Sequence, residues 1–464
     1  MYASPGPPTG PRPPCEHPPS LPPVISRPPT AAADGRALFA RPDRPLRVLH
    51  VSRPVDGGVA RVVADLVRAA PAAGLHPTVA CPPDGPLAAA VRDAGGAVRH
   101  WPATRRPDHR LADEVRRLSG IVAAVRPDVV HAHGARAGLA ARLAVRGRIP
   151  TVYQPYAWPF EAAEGPSAAL VRSWERYAAR WADRIVCGGE AERRAGRRAG
   201  IRAVWAVVPT GVDTARFRPS PAPAADRRAA LPLHPDLAVS PDPAGPPVPG
   251  GRLPGANVSP VAADPTDRPL VVCVARLCRR KGQDVLLRAW PEVLRRLPGA
   301  RLVLVGDGPD EAALRATAPA AVTLAGPTVD PAAWYRVADL VVLPSRRAGL
   351  GLVPLEAMAC GRVVLRTDVD GARERLPPDH APHCLVPPDD PYGLARAVLT
   401  LLYDAPLRAA LGRSGRQYVV ARHDVRHAAA TTAALYRTVL PDGGHGPAAH
   451  PARARRWAGT DGAR

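Results

Sequence analysis

Lysine is almost absent from these 464 residues: Lys281 is the single one, and every other basic side chain that is permanently charged is arginine. Asparagine is equally scarce, with Asn257 alone. A chain rich in Ala, Pro and Arg and poor in Lys and Asn carries the skew of GC-rich codons. The formal charge of +22 is therefore weak evidence for a binding surface. Aromatics make only 4% of the chain, and they do not interleave with basic residues. With no zinc-type spacing either, this argues against a nucleic-acid partner. An anionic membrane surface stays open. The seven cysteines are odd in number, scattered and without a C-x-x-C pair, which points to buried reduced thiols and a cytoplasmic setting. No apolar run approaches the roughly 20 residues of a membrane span. The start of the chain lacks the apolar core of a secretory leader.

Proline, by contrast, is abundant at 60 residues, and its placement marks boundaries. Residues 1–44 are too Pro-rich to bury a core and read as a disordered arm or as an extension upstream of the true start. From Leu46–Ser52 onward, strand-like runs (77–81, 97–101, 128–133, 150–154, 183–187 and 204–209) alternate with Ala/Arg-rich helical stretches. A Pro-rich linker covers 216–268. Alternation then restarts at Leu270–Leu277, with strands at 301–306, 321–325, 339–343, 362–366 and 383–386. Helices are expected at 391–403, 405–421 and 425–438, before a basic tail at 441–464. Strands separated by helices imply parallel sheets. The expected organisation is a first α/β domain over 45–215, a second over 269–422, and a C-terminal helix over 423–440. Ligands should bind at the strand C-terminal ends where the halves meet.

Three segments carry chemistry. In Val274-Ala-Arg276-Leu-Cys-Arg-Arg-Lys281-Gly282 a strand ends, a basic loop follows and Gly282 opens a helix. A diphosphate there would meet helix N-terminal amides and two cations. The only lysine of the chain lies in this loop, and an ammonium is a compact point donor where a guanidinium is a bulkier fork. In Ala300–Gly308 a strand leaves through Gly306, where a ligand can approach backbone. In Asp339–Gly361 a strand ends at Pro344-Ser345 and a helix begins near Leu352, with Glu356 in its second turn, placed to accept bonds from ribose hydroxyls.

Taken with VDGGVARVV, PDVVHAH, ADRIVCGGEAE, VVPTGVDTARFRP, PLEAMACG and DVDGARE, these segments resemble the retaining glycosyltransferases of family 4, over about residues 46–440. The resemblance implies an α/β GT-B fold, with two Rossmann-like doubly wound domains facing across a cleft. It implies transfer of a hexose from a UDP-sugar or GDP-sugar, with retained configuration and no metal or other cofactor, to a glycan, lipid-linked or small-molecule acceptor. Arg276 and Lys281 would hold the diphosphate, Glu356 the ribose, and backbone at Gly351, Leu352 and Val353 a phosphate. Gly57 and Gly58 would form the loop nearest diphosphate and acceptor. Positive groups would stabilise charge developing on the leaving diphosphate.

The chain also departs from the family. Ala348 stands where the first glutamate of E-x7-E is usual, and Tyr156 where a histidine is usual, so the catalytic residues are left unassigned. Gly189 and Thr210 replace a common Ser and Asn. The nucleotide anchors survive while sugar-facing groups do not, which predicts a slow chemical step, or a regulatory protein that binds nucleotide sugar without transfer. His131 and His133 end a strand on the acceptor side. They are expected to face opposite sides of it, which would make them a poor metal pair. In Pro166–Trp181, the arginines 172, 176 and 180 flank an aromatic stripe of Trp174, Tyr177 and Trp181. That helix either packs its stripe on the sheet or docks peripherally on the inner face of the plasma membrane.

Overall fold

The computed structural model describes residues 45–104, 110–163, 165–221, 268–319, 321–347 and 351–440. The N-terminal arm, most of the Pro-rich linker, the basic tail and Ala348 lie outside the described residues. Short β-branched runs bounded by Gly and Pro form two wholly parallel sheets, and Ala/Arg-rich stretches form the helices between them.

The first sheet orders its strands β3-β2-β1-β4-β5-β6-β7. These are β1 Leu46–Ser52, β2 Leu75–Cys81, β3 Ala97–His100, β4 Val129–His133, β5 Thr151–Gln154, β6 Arg184–Cys187 and β7 Trp205–Val207. The second orders β10-β9-β8-β11-β12-β13. Its strands are β8 Leu270–Val274, β9 Arg301–Val305, β10 Val322–Gly326, β11 Leu340–Leu343, β12 Val364–Thr367 and β13 Leu385–Val386. In each sheet the strand order reverses beside the first strand, which is the doubly wound pattern. The expected run at 383–386 is cut short because Ala381–Cys384 forms a helical turn. The strand expected through Leu277 stops at Val274, where the basic loop leaves the sheet.

Alternation along β1 and β4 sorts two faces. Leu49, Val51, Val130 and Ala132 pack under the helices Leu111–Val125 and Gly134–Val145. Leu46, Val48 and Val129 point the other way, against Ala433, Tyr436 and Val439 of the helix Val425–Val439. The last helix among the described residues therefore completes the first sheet, although it follows the second. The chain crosses between the sheets at two neighbouring places, joined where Val212 N–H donates to His423 O (2.7 Å) and Val425 N–H to Val212 O (3.0 Å). Asp424 caps the last helix through Arg426 N–H and accepts from the Thr214 hydroxyl.

The aromatic helix is divided between the two readings offered for it. Glu175 is buried in a two-pronged ion pair with the wholly buried Arg142 (2.9 and 3.0 Å), and Trp174 packs half-buried near that guanidinium. Leu170 and Tyr177, at 74% and 47% exposure, face outward. No helix among the described residues is long and apolar enough to cross a membrane.

Candidate active site

After β8 the chain passes through the exposed Arg276 into a tight turn, Arg279–Lys281, and then into the helix Gln283–Arg296. The turn is held from three sides. Gly282 adopts φ +70°, and a Cβ there would collide with the Pro344 carbonyl, so glycine alone lets the turn lie against the exit of β11. Gln283 donates its side-chain amide to Arg276 O at 2.9 Å. Arg346 bonds Arg279 O (2.7 Å), both Asp284 carboxylate oxygens (2.7 and 2.6 Å) and Asp389 (2.6 Å), while its backbone N–H donates to Arg280 O. Arg346 was not singled out from the sequence, where it reads as part of a glycine-rich turn. Its Asp284 partner lies 62 residues away, a pairing that only the fold reveals. Lys281 emerges from this clamped turn half-buried. Burial, and then the neighbouring Arg280, pull its amine below the usual lysine range. Gly306 backs the Ala275 carbonyl, so it supports the Arg276 loop from behind.

Facing this loop, Gly351 caps the helix Leu352–Ala359 with φ +74°. Leu352 and Val353 turn their side chains to the core, which leaves the amides of that first turn as the polar surface. Glu356 is 1% exposed. Its Oε1 forms an ion pair with Arg61 at 2.7 Å, and the Tyr335 hydroxyl donates to Oε2 at 2.9 Å. Burial pushes the carboxyl up, and Arg61 and Tyr335 pull it back. Arg61 belongs to the helix Gly57–Ala69, one turn beyond Gly57 and Gly58, so the pair spans the two sheets' domains. A small cavity lined by Arg61, Asp65, Val212, Asp213, Arg216 and Glu356 opens there. Both Glu356 oxygens are already engaged, so a ribose at this carboxylate must share it with Arg61 or displace it.

The histidines require a correction. His131 and His133 share one face of β4, as residues two apart on a strand must. Their rings lie 3.9 Å apart, and they are 1% and 0% exposed. His50 joins them from β1, with its Nδ1 2.9 Å from His133 Nε2. His131 Nδ1 meets the Tyr436 hydroxyl at 2.7 Å, and His133 Nδ1 meets the Tyr156 hydroxyl at 2.8 Å. Burial holds His50 down at about 4 and the other two well below the histidine range, so all three are neutral. Three ligand nitrogens thus lie within 4.8 Å of one another. A metal ion would have to displace the His50–His133 hydrogen bond to enter. His131 and His133 are closed off from the surface, and Tyr156 over His133 is itself buried, held at φ +62°.

Two departures acquire structural partners. A Cβ at Gly189 would strike the Glu374 carboxylate, which instead accepts from Ala191 N–H at 2.8 Å and caps the helix Glu190–Arg198 across the cleft. Thr210 keeps its carbonyl 3.1 Å from His423 Nδ1.

The described geometry can be set beside known proteins. Residues 56–216 match the model described as Glycosyltransferase Family 4, and residues 268–404 match the one described as Glycosyl transferases group 1. The GDP-mannose-dependent alpha-(1-6)-phosphatidylinositol monomannoside mannosyltransferase of Mycobacterium tuberculosis is 34% identical over 230 residues, 46% of this chain and 51% of that protein. The alpha-D-kanosaminyltransferase of Streptomyces kanamyceticus is 32% identical over 185 residues, 37% of this chain and 46% of that protein. The chain thus spans about half the length of the curated relatives it matches. Among solved structures, Anabaena HepE in complex with UDP and glucose superposes with a TM-score of 0.67 at 20% identity, covering 84% of this chain and 99% of that one. WaaG, a glycosyltransferase involved in lipopolysaccharide biosynthesis, gives 0.60 at 17% identity, with 84% and 99% covered.

Proposed function

For a chain that belongs to glycosyltransferase family 4, folded as a GT-B pair of Rossmann-like domains, we propose transfer of a sugar from a nucleotide diphosphate donor with retention of configuration. One observation carries this reading: the Arg279–Lys281 turn, clamped by Arg346 against the end of β11, stands at the same sheet edge as the first turn of the Leu352–Ala359 helix. In this reading Arg276 and Lys281 clasp the diphosphate, the amides after Gly351 take a phosphate oxygen, and Glu356 receives the ribose. As the bond from anomeric carbon to diphosphate breaks, positive charge grows on the sugar and negative charge on the leaving group. Two cations already oriented at that leaving group lower the barrier without reorganising. Arg276 and Lys281 thereby do the charge neutralisation that a metal ion does in other transferases.

The acceptor class in this reading is a glycan, a lipid-linked sugar or a small metabolite, approached from the side of Gly57, Gly58 and Tyr156. Exposed Leu170 and Tyr177, with Arg172 and Arg180 beside them, support peripheral placement on the cytoplasmic face of an anionic membrane. Sedimentation with anionic but not neutral vesicles checks that placement. The activity itself is tested by incubating the full chain with a panel of UDP-sugars and GDP-sugars and acceptors, and following released nucleotide by mass spectrometry. Release above the buffer rate from one donor supports the proposal, and release from none refutes it.

A further inference from the structure

The acidic partner of Arg61 is the very group that a donor would take from it. The guanidinium meets Glu356 across the cleft at 2.7 Å, with Arg61 30% and the carboxylate 1% exposed. That contact is charge against charge, because the approaching Nη1 is buried and makes no hydrogen bond. The other acids around the same small cavity are committed. Asp65 is bonded to Arg68 at 2.6 Å, and Asp213 Oδ1 accepts from the Ala215 and Arg216 amides. Other cations at this edge have their counter-charges in place. Arg375 is faced by Glu192 and Glu374, Arg366 by Asp368, and Arg346 holds Asp284 and Asp389. Of these cations, Arg61 is the one whose counter-ion is the proposed ligand of the ribose.

Glu356 and Leu352 stand one turn apart on the helix Leu352–Ala359, about 5.4 Å along its axis. Helical side chains lean toward the N-terminus, so the carboxylate sits closer still to the first-turn amides. Leu352, Glu356 and Arg61 line one cavity. A guanidinium released from Glu356 therefore reaches a phosphate at those amides by changing rotamers, with no shift of its own helix.

The charge count gives that movement a use. A nucleotide diphosphate sugar carries two negative charges on its phosphates, which Arg276 and Lys281 match in the proposed reading. When the bond to the anomeric carbon breaks, its electron pair stays on the terminal phosphate oxygen and a third negative charge grows there. The acceptor oxygen forms the new bond to that carbon, and its proton passes to the same phosphate oxygen. We propose that Arg61 is the third cation, held on Glu356 until the ribose hydroxyls take that carboxylate and then delivered to the leaving phosphate. An interaction at the nucleoside end of the donor is thereby expressed at the reacting bond, where it stabilises the transition state more than the ground state.

This inference rests on the donor-site reading, and its test separates the two. Calorimetric titration of the full chain uses two partial ligands, a nucleoside without phosphate (uridine or guanosine) and inorganic pyrophosphate without ribose, beside UDP and GDP. R61M leaves Glu356 uncontested and should tighten the nucleoside at least about tenfold, whereas a merely structural role would tighten nothing. E356Q frees Arg61 and should tighten pyrophosphate by a similar factor. The double variant should show neither gain. With a donor that is turned over, R61M should lower kcat about 100-fold and change KM far less, since the easier ribose and the lost phosphate contact offset each other, and R61K should recover part of kcat. Each gain is read separately, so a variant that fails to fold leaves the other to decide. A folded R61M without the nucleoside gain, or a folded E356Q without the pyrophosphate gain, overturns the exchange. Pyrophosphate that binds the wild type as tightly as UDP and GDP overturns it without any variant. If the wild type binds neither UDP nor GDP, the donor-site reading fails and the exchange with it.

Discussion

Replacing Lys281 by methionine should move stability and affinity in opposite directions. The amine sits half-buried on a clamped turn, its charged neighbours are Arg280 and Arg366, and burial already disfavours its ammonium form. In the free protein K281M removes a desolvated cation from beside two others. The thermal midpoint should hold or rise, by the equivalent of up to about 1 kcal/mol. The nucleotide complex loses charge-assisted hydrogen bonds worth about 1.5–3 kcal/mol, which weakens binding of UDP or GDP roughly 10- to 150-fold. The pH dependence follows from the same shift. A lysine whose folded pKa lies below its unfolded value penalises the fold while charged. That penalty fades as pH rises from the lowered value toward 10.5. The wild type should therefore gain on K281M in melting experiments as pH rises toward 10.5. Calorimetry at neutral pH and a pH series of thermal denaturation measure both effects. Unchanged affinity for UDP and GDP alike, or a variant melting several degrees lower, would refute the reasoning.

Three further outcomes are expected. R61A strips Glu356 of its cation and should cost about 1–3 kcal/mol at pH 7, less than a wholly buried pair because Arg61 is 30% exposed. The carboxyl then rises further, so urea denaturation should show the loss shrinking toward pH 5, and equal losses at both pH values would contradict the assignment. The histidine group should make the fold acid-sensitive: His50, held at about 4 against 6.5 unfolded, alone contributes about 3 kcal/mol that is lost as pH falls from 6.5 to 4. An H50Q variant with an unaltered acid transition would count against this. A348E would supply the carboxylate that the family resemblance puts beside the sugar. It should raise turnover at least about tenfold with a donor the protein already binds, and leave free-nucleotide affinity nearly unchanged. A variant that is slower than the wild type would show that the pocket is not built to take a carboxylate at position 348.

Much of this was readable along the chain because it is local. A β-branched run, a basic loop and a glycine before a helix announce the Lys281 turn, and DLVVLPS followed by PLEAMACG announces the helix that carries Glu356. The unread part is made by partners distant in sequence. Tyr436 lies 305 residues from His131, and nothing in either neighbourhood predicts that the last helix returns to roof the first sheet. The error over His131 and His133 was of another kind. Strand period alone puts them on one face, and the same period puts His50 beside them once β1 and β4 pair His50 with His131. Arg366 and Arg375 were legible only as two of many arginines, since the codon skew hides which of them are buried.

The double crossing between the sheets sets a mechanical limit. Two strands of chain pass between the lobes side by side, tied by the Val212–Asp424 bridge, so the lobes resemble a door hung on a single pin. Swinging about that pin bends both connections together and has to break the cleft contacts, Arg61 to Glu356 and Ala191 to Glu374. Sliding one lobe along the other, or pulling them apart, shears the bridge and drags Tyr436 away from its histidine. A chain cut between the lobes leaves the N-terminal fragment roofless, with three neutral imidazoles opened to water.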